Sequence, residues 1–343
     1  MMSELVSKAT FTLARNKLIQ DQSVGILSLL GIAIIVMSII EPSFATAGNA
    51  TNIINAMMTV SFLAIGMTVV LIAGGIDLSV GSVMALTAGV AGKLITYHMN
   101  MSLAFCFALG IGAMIGWVNG ILITKLGIPD FIATLAMLGM GQGLMLFWTH
   151  GVPILGYMNT QYYYIGGLRK IVGPISIPMI VVVTLAIIVS IMLKRTDFGL
   201  KLYAIGSSPN SARNAGIHVD RVKIAAYSIS GFLAAVAGIH IAGRTTTIPP
   251  LIGNGYEISA IAAAVIGGAS LAGGKGRVAG ALIGALTLTL TRNIINLVGI
   301  ASSWQAIVIG SVLIGAVLAN RASVQFGRKL KKRTKRTERK AQK

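Results

Sequence analysis

Polar breaks divide the chain into ten long apolar runs: 24–40, 54–73, 79–97, 102–123, 128–148, 174–193, 224–242, 257–272, 278–298 and 303–320. Most approach the length of about 20 residues that carries a helix across a hydrocarbon core. The pattern predicts an all-α, polytopic transmembrane bundle of about ten spans. The pairs within 54–97 and 257–298 are the hardest to divide, because the breaks between them are short and Gly-rich.

Composition supports a lipid-facing surface. The chain has 343 residues, of which 55% are apolar and only 11% charged, and its mean hydropathy is +0.82. A soluble domain of this size needs more polar surface than that. Glycine is abundant, at 41 residues, and aromatics make up only 6%, which suits helices packed closely through small residues. Cys106, the one cysteine, sits inside an apolar run and reads as a small buried hydrophobe. The four histidines have no metal-ligand spacing, and no cofactor is indicated. Ala45-Thr46-Ala47 looks like a cleavage site, but the polar leader and the apolar run after it are too long for a usual signal peptide.

Charge sets the orientation. Residues 1–23, Lys125, 194–223, Lys275 with Arg277, and 321–343 together hold 23 of the 28 Lys and Arg residues. Positive charge concentrates in cytoplasmic loops, so these segments and both termini are expected inside. The chain then divides into a cytoplasmic segment 1–23, a permease domain 24–320 and a basic cytoplasmic tail 321–343. The tail accounts for much of the net charge of +19. Its position after a span points to anionic lipid, not nucleic acid.

Two loops are long. Segment 149–173, rich in Tyr and Gly, falls outside, as expected at a membrane–water interface. Segment 194–223 falls inside and contains helix signals: Ser208 as N-cap, Pro209 as first helical residue, a body at Asn210–Asn214, and Gly216 as terminator. A short rigid helix there would give another protein something to push. An ordinary solvated loop is the alternative that these residues leave open.

The Gly-rich breaks share a pattern. Gly74-Gly75-Ile76-Asp77-Leu78-Ser79-Val80-Gly81 matches Gly267-Gly268-Ala269-Ser270-Leu271-Ala272-Gly273-Gly274 in the spacing of its glycines and leucine, a hint of internal duplication. The charge-based topology puts both breaks on the cytoplasmic side, whereas an inverted repeat would require one elsewhere. Asp77 is either a helix cap or a functional intramembrane carboxylate. The sets Gly112, Gly116, Gly120 and Gly276, Gly280, Gly284 each mark a smooth helix face for close packing. A phosphate-binding loop of the G-x-x-x-x-G-K-[ST] type is missing, because Gly273-Gly274-Lys275-Gly276-Arg277 lacks both the length and the hydroxyl residue. No catalytic residue is expected, and ATP hydrolysis would fall to a separate chain.

Four blocks resemble the permeases of ribose/galactose-type ABC sugar importers: AGGIDLSVGSVMAL (73–86), GIPDFIATLAMLGMGQGL (127–144), AIGSSPNSARNAGI (204–217) and YEISAIAAAVIGGASLAGGKGRVAGALIGAL (256–286). They cover nearly the whole chain in the family's order. Ser208-Pro209 departs from the family, whose loop usually has Asn followed by an acidic residue. The resemblance implies a homodimer in the bacterial inner membrane, an ABC ATPase subunit inside and a periplasmic sugar-binding protein outside. It assigns ATPase coupling to Ser208, Pro209, Asn210, Arg213, Gly216 and Ile217. It marks Gly74, Gly75, Asp77, Ser79, Gly81, Gly267 and Gly268 as a structural signature. Polar candidates for the translocation pathway are Asn119, Thr134, Gln142, Asn293 and Asn296, each of which could equally serve helix–helix hydrogen bonding. An ion-driven secondary transporter of a small polar solute and a non-transporting scaffold are the rival functions.

Overall fold

The computed structural model of the protein describes residues 22–301, except 173 and 174, together with 304, 307, 308, 310, 311, 314 and 315. The described chain is helical throughout. In order, its helices are α1 (Gln22–Ile40), α2 (Ala47–Ile72), α3 (Val80–Thr96), α4 (Met101–Thr124), α5 (Asp130–Thr149), α6 (Thr160–Ile165), α7 (Ile177–Arg195), α8 (Asp197–Ser207), α9 (Pro209–Asn214), α10 (Val219–Thr245), α11 (Tyr256–Ile266) and α12 (Val278–Leu297). Six of them (α2, α4, α5, α7, α10 and α12) are long and apolar enough to cross a membrane, whereas the apolar part of α1 and helices α3 and α11 are shorter. The tenth predicted run, 303–320, and the two terminal segments lie largely outside the described residues.

Nine predicted runs correspond to helices in order, with shifts at the ends that have local causes. Helix α2 starts seven residues before its apolar run, because Thr46 caps it by accepting the Asn49 N–H at 3.2 Å. Its polar first turns are helix, where hydropathy alone reads loop. Helix α11 ends at Ile266, short of the predicted 272, since Gly267 caps it and Gly268 turns the chain at φ +89°. Eleven residues rise about 16 Å, roughly half of a hydrocarbon core of about 30 Å.

Helices α2 and α10 are the most enclosed of the long helices. Gly112, Gly116 and Gly120 of α4 lie directly on the backbone of α10 at Gly231, Tyr227 and Ile224. A methyl at Gly116 would overlap the Tyr227 carbonyl, whereas Gly110 of the same helix faces open space. Gly116→Leu should therefore cost more than about 3 kcal/mol and abolish recovery of monodisperse protein in detergent. Gly110→Leu should leave yield and Tm near wild type. In the second glycine set, Gly280 and Gly284 seat α12 on the backbone of Gly267 and Ala263. Gly276 precedes the helix and meets Ile72 and Thr68.

The outward faces of α4, α5 and α7 expose Phe107 and Trp117, Phe131 and Phe147, and Ile187 and Ile188, a surface suited to lipid and not to water. Cys106 lies on this side and is exposed, contrary to the expected burial. Helix α4 is apolar around its circumference, so hydropathy does not distinguish its inward positions, which run through Ala104, Ala108 and Gly112. The long loop 149–173 also differs from a simple interfacial belt. Tyr157 and Tyr162 are fully buried, stacked edge to face at 5.4 Å, and the Tyr157 hydroxyl donates to Ala242 O at 2.8 Å.

Candidate functional site at the glycine junction

Helices α8 and α9 form a rigid connector between α7 and α10. Thr196 caps α8 through the Gly199 N–H. Ser208 then caps α9, its Oγ accepting from Ser211 N at 3.3 Å, with Pro209 as the first helical residue. The far end closes with Gly216 N donating to Arg213 O and Ile217 N to Ala212 O, while Gly216 stands at φ +79°. This paired closure uses the last carbonyls of the helix, and Gly takes the left-handed position without strain. Ala212 is buried and Ile217 packs on the same apolar cluster, so one side of the short helix is anchored. Pro209, Asn210, Ser211 and Arg213 lie on its other side, exposed or half-exposed. Arg213 sits 3.7 Å from Asp220 of α10, and the same carboxylate holds Lys125 at the end of α4 at 3.1 Å. These exposed pairs add little stability, roughly 0–1 kcal/mol each, but they tie three elements together.

Beneath this connector the two Gly-rich breaks meet. Gly274 N donates to Ile72 O at 3.0 Å. Gly206, at the end of α8, fits between them: a side chain there would overlap Ile72 O and lie 2.6 Å from Gly274 N. Gly74 and Gly273 pack against Gly206 and each other, and Tyr203 OH donates to Gly276 O at 2.8 Å. Three backbone segments thus approach at distances that only glycine permits. Helices α2 and α11 both run into this junction and α12 leaves it, while α3 begins deeper, where Gly81 meets Gly253 and Glu257 at the start of α11. The Gly-rich ends of the two breaks therefore lie side by side at one end of the bundle.

From the junction the chain passes inward to Asp77, which is 1% exposed. Its Oδ1 accepts from Ser79 N at 3.0 Å and Ser79 Oγ at 2.6 Å, and its Oδ2 accepts from Ser230 Oγ of α10 at 2.7 Å. Asn119 Nδ2 of α4 donates to Ser79 Oγ at 2.9 Å. One residue earlier, Ile76 N donates to Asp130 Oδ2 at 2.7 Å, and Ile76 O accepts from Tyr227 OH at 3.2 Å. Thr134 Oγ1 lies 3.4 Å from the same carbonyl. The extended residues between α2 and α3 are thus held by α4, α5 and α10. Asp77 closes a local turn onto Ser79, which stands at the N-cap of α3 without a side-chain capping bond, and also bonds to α10 through Ser230.

The structure brings Asn119 and Thr134 together at this break, both fully buried. Asn293 lies elsewhere, in a reciprocal amide pair with Asn49 at the opposite end of α2, with bonds of 3.1 and 2.7 Å. Gln142 is half-buried on α5, and Asn296 is exposed near the end of α12. Glu257 was missed by sequence reading. It opens α11, its Oε1 accepts from Gly255 N at 3.1 Å, and its buried Oε2 packs against Gly81, where an added Cβ would approach Oε2 and Gly253 O. Its signal was an acidic residue in a helix first turn, facing the glycine that opens another helix. Among the described residues no group of three or more His, Cys, Asp or Glu could hold a metal ion.

The chain is 39% identical over 291 residues to the ribose import permease protein RbsC of Escherichia coli K12, covering 84% of this chain and 90% of that protein. It is 40% identical over 290 residues to RbsC of Bacillus subtilis 168, with the same coverage. It is 36% identical over 286 residues to the autoinducer 2 import system permease protein LsrC of Yersinia pestis Pestoides F, covering 82% and 80%. No solved structure matches. Residues 49–317 match the family described as branched-chain amino acid transport system / permease component, and the chain belongs to that family of membrane permease subunits.

Proposed function

We propose that this chain is the membrane-spanning permease of an ATP-binding-cassette importer that moves a monosaccharide, a pentose or hexose, across the bacterial inner membrane. The observation that carries the reading is the capped connector α8–α9, seated by its backbone on the glycine junction. A force applied to α9 passes through Gly206 to both broken helix pairs without a flexible element between. The ribose and autoinducer 2 import permeases among its relatives supply the solute class. In this reading the permease has about ten spans with both termini cytoplasmic, works as a homodimer, and meets an ABC ATPase subunit through Ser208–Ile217. A periplasmic sugar-binding protein delivers the solute from the other side.

The pathway needs only weak hydrogen-bonding groups, because a permease that held its sugar tightly would not release it. Asn119 and Asn293 are engaged between helices, Thr134 is bonded to backbone carbonyls and Asn296 has an interaction of its own, which leaves Gln142 as the pathway candidate. Selectivity then rests with the binding protein.

Arg213 provides the test. Arg213→Glu places like charge beside Asp220 and reverses the exposed charge of α9. ATP-driven uptake in proteoliposomes should fall by about tenfold or more, with the permease still folded. Wild-type uptake and wild-type ATPase binding in this variant would remove α9 as the coupling element.

A further inference from the structure

At the end of the bundle opposite the connector lies a cavity of about 170 Å³, lined by Ala47, Ala50, Thr51, Asn55, Lys170 and Ser176 among others. It exceeds the roughly 10–15 Å³ that a single water requires, so it admits a polyatomic group. Two long helices begin at its wall. Ala47 and Ala50 belong to the first turn of α2, which contains no acidic residue. Ser176 is the N-cap of α7, yet its side chain makes no capping bond. Helix N-termini favour anions through free N–H groups and the helix dipole.

Ser176 supplies the independent observation. It is 3% exposed, it lines the cavity, and its Oγ has no hydrogen-bond partner. A buried hydroxyl without a partner costs free energy unless a ligand completes it. Lys170 adds a cation, its Nζ 3.1 Å from Thr51 Oγ1, and no acidic side chain lines the cavity. Asn55 is already committed through Nδ2 to Gly167 O at 3.1 Å. Directly below the cavity, α7 exposes Met179, Ile180, Val183 and Ile187, a face suited to acyl chains. Beside it, Arg169 stacks on Tyr163 at 5.8 Å, an arrangement typical of the interface.

We infer that this cavity binds the phosphate of a membrane phospholipid, with Lys170, Ser176 and the first turn of α2 holding the oxyanion while the acyl chains lie along α7. In the orientation proposed above, the lipid belongs to the outer leaflet. The binding itself requires only that α7 faces lipid and does not depend on the transported solute.

The test uses the purified full-length permease in detergent, titrated with dioleoylphosphatidylglycerol and followed by native mass spectrometry. Wild type should retain the lipid, and Lys170→Glu should bind it about tenfold more weakly. Ser176→Ala should show a smaller loss, and Lys170→Arg should recover binding. Should Lys170→Glu fail to fold, Ser176→Ala and Lys170→Arg carry the comparison. Equal lipid retention in all variants would overturn the site. Displacement of the lipid by millimolar inorganic phosphate would show a free-anion site instead, as would phosphate binding alone. Loss of binding-protein docking in Lys170→Glu with lipid retention unchanged would assign the cavity to a protein carboxylate and also overturn the proposal. These readouts need no transport, so failure of the import reading leaves them interpretable.

Discussion

Gly206→Ala should separate ATP hydrolysis from uptake. The added methyl has no room: it would overlap Ile72 O and press on Gly274 N, the donor of the 3.0 Å bond joining the two breaks. Its neighbours are backbone atoms, which cannot rotate away, so overpacking of about 1–3 kcal/mol falls on the seat of α8. Of the long helices this position meets α2 at its last residue, Ile72, and not along its packed length, so the bundle should assemble. Uptake in proteoliposomes should then drop by about tenfold or more, while the permease still recruits its ATPase. Gly48→Ala, at a helical position with open space around it, should behave as wild type. Normal coupled uptake in Gly206→Ala would show that force does not pass through the junction.

Asp77 should prove a structural group whose loss is felt in stability. The carboxylate accepts three hydrogen bonds, from Ser79 N, Ser79 Oγ and Ser230 Oγ. Asp77→Ala leaves a buried N–H and two hydroxyls without their acceptor, at about 1–3 kcal/mol for each group that finds no substitute. Tm should fall by several degrees. Asp77→Asn keeps an amide oxygen for Ser79, and Ser230 can turn its hydroxyl to accept from the new amide, so this variant should lie much nearer wild type. A carboxylate that carried a proton or cation would give the opposite split, with Asp77→Asn folded at wild-type Tm but unable to transport. Thermal unfolding and uptake measured together on both variants separate the two roles.

These two positions mark where sequence reading succeeds and where it stops. Ser208, Pro209 and Gly216 announce a short helix because capping and termination depend on residue type within a few positions, and the helix appears at Pro209–Asn214. The glycines at 112, 116 and 120 announce close packing by their spacing alone, and they meet α10. Runs of apolar residues locate nine helices in order. The partner of each face is another matter. In a helix apolar on all sides, burial is decided by the neighbouring helix, which hydropathy does not encode, so Cys106 was assigned inward and faces outward. Gly206 stands alone in its sequence, and only the fold brings it against Ile72 and Gly274, two segments far apart in the chain. Asn119 and Thr134 were grouped with Asn293 by polarity, yet Asn293 lies apart from them and pairs with Asn49, while Asn119 holds Ser79 and Thr134 bonds back to Asp130 O in its own helix. Glu257 was not singled out in the sequence, because its contact with Gly81 exists only in the fold.

Uptake of radiolabelled pentose and hexose, by proteoliposomes holding this permease with its ATPase subunit and sugar-binding protein, tests the central claim most directly. Accumulation should require ATP inside the compartment that faces α9, should stop when the ATPase is inactivated, and should persist when ion gradients are dissipated. Uptake that continues without a working ATPase and collapses with the ion gradient would contradict the account and identify an ion-driven transporter.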